Sequence, residues 1–195
     1  MKRLFLYPYI LIMIMMVSGC ATVVKGTKKM DGYDKKLSSL SVMWQNNPTL
    51  SFQIRKTAGL AVLATITEGN KDESRKNLGA LMGMLVSQSS GAVSDKLRAK
   101  GVSVITLAND SPTSPKGLQH LIKVYPDFAG SECSAISCSH NAGLLVTVWD
   151  FDLKKTVWQG DFKVGAPLGG EVTNQLLTSF LDSLISELQK SQLLQ

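Results

Sequence analysis

The sequence predicts an α+β domain, in which a largely antiparallel sheet of four to five strands has two helices packed on one face. Apolar and polar residues alternate in several short segments, as in half-buried strands. In two longer segments apolar residues recur every three or four positions, as in amphipathic helices. The resulting order of strand, helix, four strands and helix favours helices gathered on one side of the sheet.

Composition limits the class of protein. The chain has 195 residues, of which 44% are hydrophobic and 18% charged, and its formal net charge is +6. These values exclude collagen-like, wholly disordered and disulfide-stapled mini-protein classes. Lys2 and Arg3 belong to a leader described next, and removing them lowers the charge to +4. A mild positive charge spread over one domain does not favour nucleic acid as a partner.

The amino terminus has the three parts of a secretory signal. Two cations precede an apolar run from Leu4 to Met16, and small residues follow it. That run is much shorter than the roughly 20 residues of a membrane-spanning helix. We therefore predict a signal peptide over residues 1–19, with a permanent membrane anchor as the alternative.

The segment Val17-Ser18-Gly19-Cys20 resembles a bacterial lipobox. The resemblance implies cleavage before Cys20, a diacylglyceryl group on its thiol and a further acyl chain such as palmitate on its amine. Two or more acyl chains make membrane attachment durable. In the usual proteobacterial sorting pattern an Asp after the cysteine retains the protein at the inner membrane. Ala21 therefore favours the outer membrane, with the domain on the periplasmic face.

Two further cysteines, Cys133 and Cys138, remain. In an exported protein such a pair commonly forms a disulfide, which we predict here. One alternative is a metal site made of the two cysteines and His140, although it lacks a fourth ligand. Another is a nucleophile pair of Cys138 and His140. We predict no metal, no cofactor and no catalytic residue.

The stretch after the leader is polar. Residues 20–36 hold the lipidated cysteine and five lysines without an apolar period, which we interpret as a tether. The lysines of this tether could contact anionic lipid head groups, or the tether could be a linker surrounded by solvent, and the sequence favours neither interpretation. The single α+β domain is predicted over residues 37–190.

The elements of that domain follow in order. Leu37 to Trp44 alternates and predicts a strand, whereas Leu50 to Thr67 mixes strand and helix signals and is left open. Asp72 to Lys100 has a helical stripe that ends at a candidate C-cap, Gly101. Val102 to Leu107 predicts the next strand.

The second half reads more clearly. His120 to Tyr125 predicts a strand, and Leu144–Phe151 with Thr156–Val164 predicts a hairpin closed by a polar turn. An apolar stripe from Leu177 to Leu188 predicts a helix docked at the carboxy terminus.

Three segments together resemble small bacterial envelope lipoproteins with the fold of the TolB amino-terminal domain. They are the helix-to-strand join at residues 97–104, the hairpin at residues 146–162 and the terminal helix. The resemblance covers about residues 72–190. It implies an accessory or interaction module, and it brings no catalytic motif.

Residues with chemical potential are few. The sequence has no nucleophile elbow, phosphate-binding loop or zinc-protease helix. We interpret His120 as an ordinary structural or surface histidine. Three carboxylates of the hairpin, Asp150, Asp152 and Asp161, are interpreted as solvated side chains that pair with the lysines of the turn, Lys154 and Lys155. A functional pair of carboxylates is the alternative.

Two tryptophans of the hairpin, Trp149 and Trp158, are predicted to pack in the core, and stacking on a ligand is the alternative.

The sequence therefore predicts a lipid-anchored envelope protein that is not an enzyme and serves as an accessory or assembly subunit of a cell-envelope complex, for example a transport complex. It binds the membrane through Cys20 and an envelope protein through its domain. A periplasmic ligand- or glycan-binding lipoprotein is the alternative, and an enzyme acting on cell-wall material has little support. The oligomeric state stays open.

Overall fold

The computed structural model describes residues 21–44, 51–56, 91–106, 117–133, 138–167 and 174–195. Two helices are present there, α1 at residues 91–98 and α2 at Asn174–Lys190. Neither is long and apolar enough to cross a membrane. The strands are β1 Ala21–Lys29, β2 Ser39–Trp44, β3 Ser51–Lys56, β4 Ser103–Thr106, β5 His120–Cys133, β6 Cys138–Asp150 and β7 Lys155–Pro167.

All seven strands belong to one sheet, in the order β1-β7-β6-β5-β2-β4, with β3 also beside β5. Strands β5, β6 and β7 form a long antiparallel meander, and β1 runs antiparallel to β7. Strands β2 and β3 run parallel to successive halves of β5, and β4 runs parallel to β2. The predicted α+β class is confirmed, but the described sheet has seven strands rather than four to five.

The core lies between one face of the sheet and the two helices. On β6 the residues Ala142, Leu144, Val146 and Val148 are fully buried, and from Leu144 onward they alternate with half-buried neighbours. Phe180 of α2 packs edge-to-face against aromatic side chains of two strands, with ring centroids 5.5–6.5 Å apart. Helix α1 joins the same core cluster. Both helices therefore pack on one face, as the sequence predicts.

The predicted hairpin is confirmed, and its strands are longer than expected. Asp150 pairs with Lys155, so residues 151–154 form the loop. Lys154 occupies the left-handed region of backbone space at φ 52°, a conformation in which side chains are disfavoured. The predicted strand at 37–44 is β2. Of the segment left open at 50–67, residues 51–56 are β3 and the rest lies outside the described residues.

Gly101 caps α1, as predicted. Its φ is 79°, and its amide donates to the Arg98 carbonyl at 2.9 Å. The Val102 amide donates to the Leu97 carbonyl at 3.1 Å. These two bonds define a Schellman motif, which needs a residue in the left-handed conformation. Most of the long helix predicted over 72–100 lies outside the described residues, and the part at 91–98 is helical.

The structure corrects the prediction of a tether at residues 20–36. Residues Ala21–Lys29 form β1, which pairs with β7 from Ala21↔Gly165 to Lys29↔Trp158. The domain therefore includes these residues instead of beginning at 37. It also extends past 190, because Leu193 and Leu194 are buried.

Two lysines of this segment bind the carboxy-terminal end of α2. Lys29 Nζ donates to the Ser191 carbonyl at 2.9 Å, and Lys36 Nζ donates to the Gln192 carbonyl at 2.7 Å. The last carbonyls of a helix lack partners within the helix and attract cations. These lysines therefore complete the end of α2.

Two more lysines contact the sheet. Lys25 Nζ lies 4.8 Å from the centroid of the Phe128 ring, within the range of a cation–π interaction. Lys35 forms ion pairs with Asp150 and Asp152. Interpreting the segment as a solvated linker is therefore wrong for four of its five lysines, because these lysines contact the domain.

Two glycines of α1 form a matched test of these backbone assignments. Replacing Gly101 with Ala lowers the free energy of unfolding by about 1 kcal/mol, because Ala disfavours positive φ. Gly91 is helical and exposed, and among the described residues no atom lies within 4 Å of the position of an added Cβ, so Gly91→Ala raises the same free energy by roughly 0.5–1 kcal/mol. Urea unfolding followed by circular dichroism measures both values. Changes of the same sign would contradict the assignment of the cap.

Candidate functional site

Of the predicted site residues, Cys133 and Cys138 belong to the sheet, whereas Cys20 is outside the described residues. The backbone register pairs Cys133 at the end of β5 directly with Cys138 at the start of β6. Directly opposed Cα atoms in antiparallel strands are about 4.5–5.5 Å apart, which a disulfide can span. The disulfide itself stays a prediction, as do the alternatives that use His140.

A different group of polar residues meets at the opposite end of the sheet. His120 is the first residue of β5 and Asp150 the last of β6, and the register makes them direct partners. Tyr33 and Lys35 come from the connection between β1 and β2. The side chains of His120, Asp150 and Tyr33 are 0%, 1% and 4% exposed, whereas Lys35 is 44% exposed. We call these four residues the polar cluster.

Tyr33 stands at the centre of the cluster. Its hydroxyl lies 2.6 Å from Nε2 of His120 and donates to Oδ2 of Asp150 at 2.9 Å. Lys35 Nζ donates to the same carboxylate oxygen at 3.3 Å. The other oxygen, Oδ1, accepts the amide of Leu153 at 2.8 Å. One carboxylate thus closes the hairpin turn and fixes the β1–β2 connection.

The Tyr33 hydroxyl joins the two paired strand ends. It donates its single proton to Oδ2 of Asp150 and lies within hydrogen-bond distance of Nε2 of His120. The His120 ring also interacts with the backbone of Ser39 at the start of β2. The ring is therefore held between β2 and the connection that carries Tyr33.

Charge is distributed accordingly. Burial lowers the pKa of His120 below its usual value, and the negative charge of Asp150 opposes this shift only in part. Burial alone would raise the pKa of Asp150, but bonds from the Leu153 amide and the hydroxyl and ammonium groups of the cluster lower it. Burial and the bond to Asp150 raise the pKa of Tyr33. At neutral pH the histidine is therefore neutral and the aspartate ionised.

This arrangement stabilises the fold. A buried hydrogen bond contributes about 1 kcal/mol net, but removal of one partner costs about 1–3 kcal/mol because the other stays desolvated. The cluster joins three separate parts of the chain, with sequence separations of 87 residues for Tyr33–His120 and 117 for Tyr33–Asp150. Only Lys35 presents a large part of its side chain to solvent.

The sequence indicates some members of the cluster and misses others. A structural His120 is confirmed. A solvated Asp150 paired with Lys154 or Lys155 is wrong, because Asp150 is buried and pairs with Lys35. The alternation of Val146 and Val148 continued to Asp150 places it on the buried face, and that signal was available in the sequence. Tyr33 and Lys35 carry no comparable signal.

The other sequence candidates have structural surroundings of their own. Trp158 is buried in the core, and its Nε1 donates to Oγ of Ser191 at 2.9 Å. Trp149 is half-buried on the opposite face, where Lys123 Nζ lies 5.7 Å from its ring centroid. Core packing is therefore right for Trp158 and wrong for Trp149. Within the ranges described, no group of three or more metal-ligating side chains assembles.

The histidine makes stability depend on pH. The folded state binds a proton at His120 less readily than the unfolded chain, whose histidines titrate near about 6.5. The free energy of unfolding therefore falls as pH decreases from about 7.5 to about 5.5, and this fall is smaller in His120→Gln. The variant retains His140, so the difference between the two curves isolates His120. Parallel curves from urea titrations at several pH values would contradict the assignment.

Comparisons with known proteins give a distant likeness in structure. No family model and no curated protein matches the chain. The PelC dodecamer from Paraburkholderia phytofirmans is 9% identical, with 86% of this chain and 97% of that chain covered and a TM-score of 0.44.

Two further solved structures show a similar distant likeness. Lipoprotein GNA1162 from Neisseria meningitidis is 11% identical, with 78% of this chain and 99% of that chain covered and a TM-score of 0.40. A putative neuraminyllactose-binding hemagglutinin homolog from Helicobacter pylori is 15% identical, with 85% and 94% covered and a TM-score of 0.38. At these values the likenesses carry no argument about function.

Proposed function

We propose that this protein is a bacterial envelope lipoprotein, held at the outer membrane by acyl chains on Cys20, with its domain on the periplasmic face. The observation that carries the proposal is the segment Val17-Ser18-Gly19-Cys20, directly after two cations and a short apolar run. Strand β1 begins at Ala21, so cleavage before Cys20 leaves the described sheet whole.

Its role is that of a non-enzymatic accessory or assembly subunit that acts through protein contacts. Its domain has a fold like that of the TolB amino-terminal domain. The disposition of the polar cluster supports this role. A catalytic histidine must reach its substrate, whereas His120 is fully buried and hydrogen-bonded to Tyr33. Among the described residues, the buried histidine and aspartate of the polar cluster therefore hold the fold together.

The two ends of the strand order differ as sites for a partner. Strand β1 carries Lys25 and Lys28 and has an irregularity between Val24 and Gly26, and both features discourage addition of another strand. Strand β4 pairs only with β2 among the described strands, and its Ile105 is 46% exposed. The β4 edge is thus the better place for a partner strand.

We also propose the disulfide between Cys133 and Cys138. Its support is the direct register of the two residues at the open end of the β5–β6 hairpin. A loop this short gains only about 2 kcal/mol from closure in the chain-entropy model. The bond therefore adds local stability to a hairpin end that extends three residue pairs beyond the row in which β1 begins.

The anchor is tested on protein expressed in a proteobacterial host and extracted with detergent. The intact mass of the wild-type protein corresponds to a chain that begins at an acylated Cys20. Cys20→Ser lacks the acyl groups, and its intact mass shows neither cleavage before residue 20 nor the added acyl mass, because the thiol that receives the lipid is absent. Cys133→Ser is the control, since it removes a thiol that the proposal does not place in the anchor. An unmodified wild-type chain that begins at Met1 would overturn the proposed anchor.

The accessory role is tested by purifying the lipidated protein from gently solubilised membranes. We expect a stoichiometric envelope protein to copurify, and Ile105→Lys to reduce its amount because a charge now occupies the exposed position on β4. Val23→Lys changes an exposed residue on the opposite end strand and leaves the partner bound. Repeated recovery of the protein alone contradicts the accessory role and favours the ligand- or glycan-binding alternative.

A further inference from the structure

The two ends of the sheet are distinguished by how they lie relative to Cys20. Strand β1 runs from Ala21, where it pairs with Gly165 of β7. Gly165 pairs in turn with Asn141 of β6, and Asn141 pairs with Gly130 of β5. Ala21 therefore lies near the end of the sheet at which β6 begins. We call this the hairpin end.

The beginning of β1 is held in place from two sides. The Thr22 amide donates to Oγ of Ser179 on α2 at 3.2 Å, and Val24 packs against the core cluster. Thr22 also pairs with Val164 of β7. These residues could act as a flexible linker only if their pairing with β7 and their contact with α2 were broken. The ordered sheet therefore begins at Ala21.

We propose that the hairpin end contacts the phospholipid head groups and that the polar cluster points away from the bilayer. The proposal rests on the lipid attachment at Cys20 argued above. One peptide bond joins Cys20 to Ala21 and spans about 3.8 Å between their Cα atoms. An acylated Cys20 thus brings the end of β1 to the membrane surface without an intervening linker.

The lengths of the strands extend this contact beyond β1. From the row of Ala21 the hairpin continues for three more residue pairs, which end at Cys133↔Cys138. At about 3.3 Å per residue these pairs project roughly 10 Å farther in the direction of Cys20. The hairpin end therefore reaches the level of the acylated cysteine or beyond it.

The polar cluster lies at the other end of the same strands. Nine residues separate Asn141 from Asp150 along β6, a distance of about 30 Å at the usual rise. This exceeds the depth of the head-group layer several times. When the hairpin end contacts the bilayer, Lys35 and the loop at 151–154 therefore face the aqueous side.

Two exposed positions allow a matched measurement. Val23 is 54% exposed and two residues from Ala21, whereas Leu153 is 42% exposed in the loop beyond Asp150. Val23→Trp and Leu153→Trp are each prepared as lipidated protein and inserted into phosphatidylcholine vesicles that carry a nitroxide on the head group. Emission of Trp44, Trp149 and Trp158 in the unsubstituted protein supplies the background.

We expect Val23→Trp to lose most of its added emission and Leu153→Trp to keep it, because nitroxide quenching acts only over a short distance. A flexible 20-residue Gly/Ser insertion between Ala21 and Thr22 spans about 25 Å and leaves the residue after Cys20 unchanged. It restores the emission of Val23→Trp.

Quenching of Leu153→Trp as strong as that of Val23→Trp, or quenching at position 23 that persists despite the insertion, overturns the proposed orientation. Mass spectrometry of the same samples separates this failure from that of the anchor. Equal quenching with an acylated Cys20 overturns the orientation alone, whereas absence of the acyl groups overturns both.

Discussion

The pairing of β1 with β7 is the constraint on which the rest of the structure depends. It takes a lysine-rich stretch that follows a cysteine and makes it the edge of the sheet, from Ala21 to Lys29. Once this strand is placed, Lys29 and Lys36 reach the end of α2, and the connection to β2 brings Tyr33 to His120. Loss of this pairing would release both sets of contacts together.

The polar cluster shows how polar contacts hold this connection in addition to its buried apolar residues Tyr33 and Leu37. Residues 30–38 pass over the end of the sheet, where Tyr33 supplies both a ring for the core and a hydroxyl for Asp150. Burial of the carboxylate is costly, and it is offset by three donors, of which Lys35 carries the compensating charge. His120 is neutral, because burial lowers its pKa, so the cluster holds no unpaired buried charge.

Much of the fold could be predicted from the sequence because its signals are local. The hairpin β6–β7 and the helix α2 each bury one face, and their apolar residues repeat with the period of the element. The cap at Gly101 follows from one residue type at one position. The partners of Asp150 could not be predicted in this way. Tyr33 and Lys35 are more than 100 residues away, and no periodicity marks a hydroxyl or ammonium group that meets a carboxylate across a sheet.

Strand β1 is harder to read for a different physical reason. A sheet edge exposed to solvent needs lysines and irregular pairing to prevent association, and a linker needs polar residues to stay solvated, so the two share a composition. The irregularity between Val24 and Gly26 also reverses which alternate residues face the core. Before the irregularity, the residues opposite buried positions of β7 are Thr22 and Val24. After it, they are Thr27 and Lys29. The irregularity interrupts the alternation of inward-facing and outward-facing residues within a strand of only nine residues. The sequence of β1 therefore lacks the period of two that marks a strand and looks like that of a polar linker.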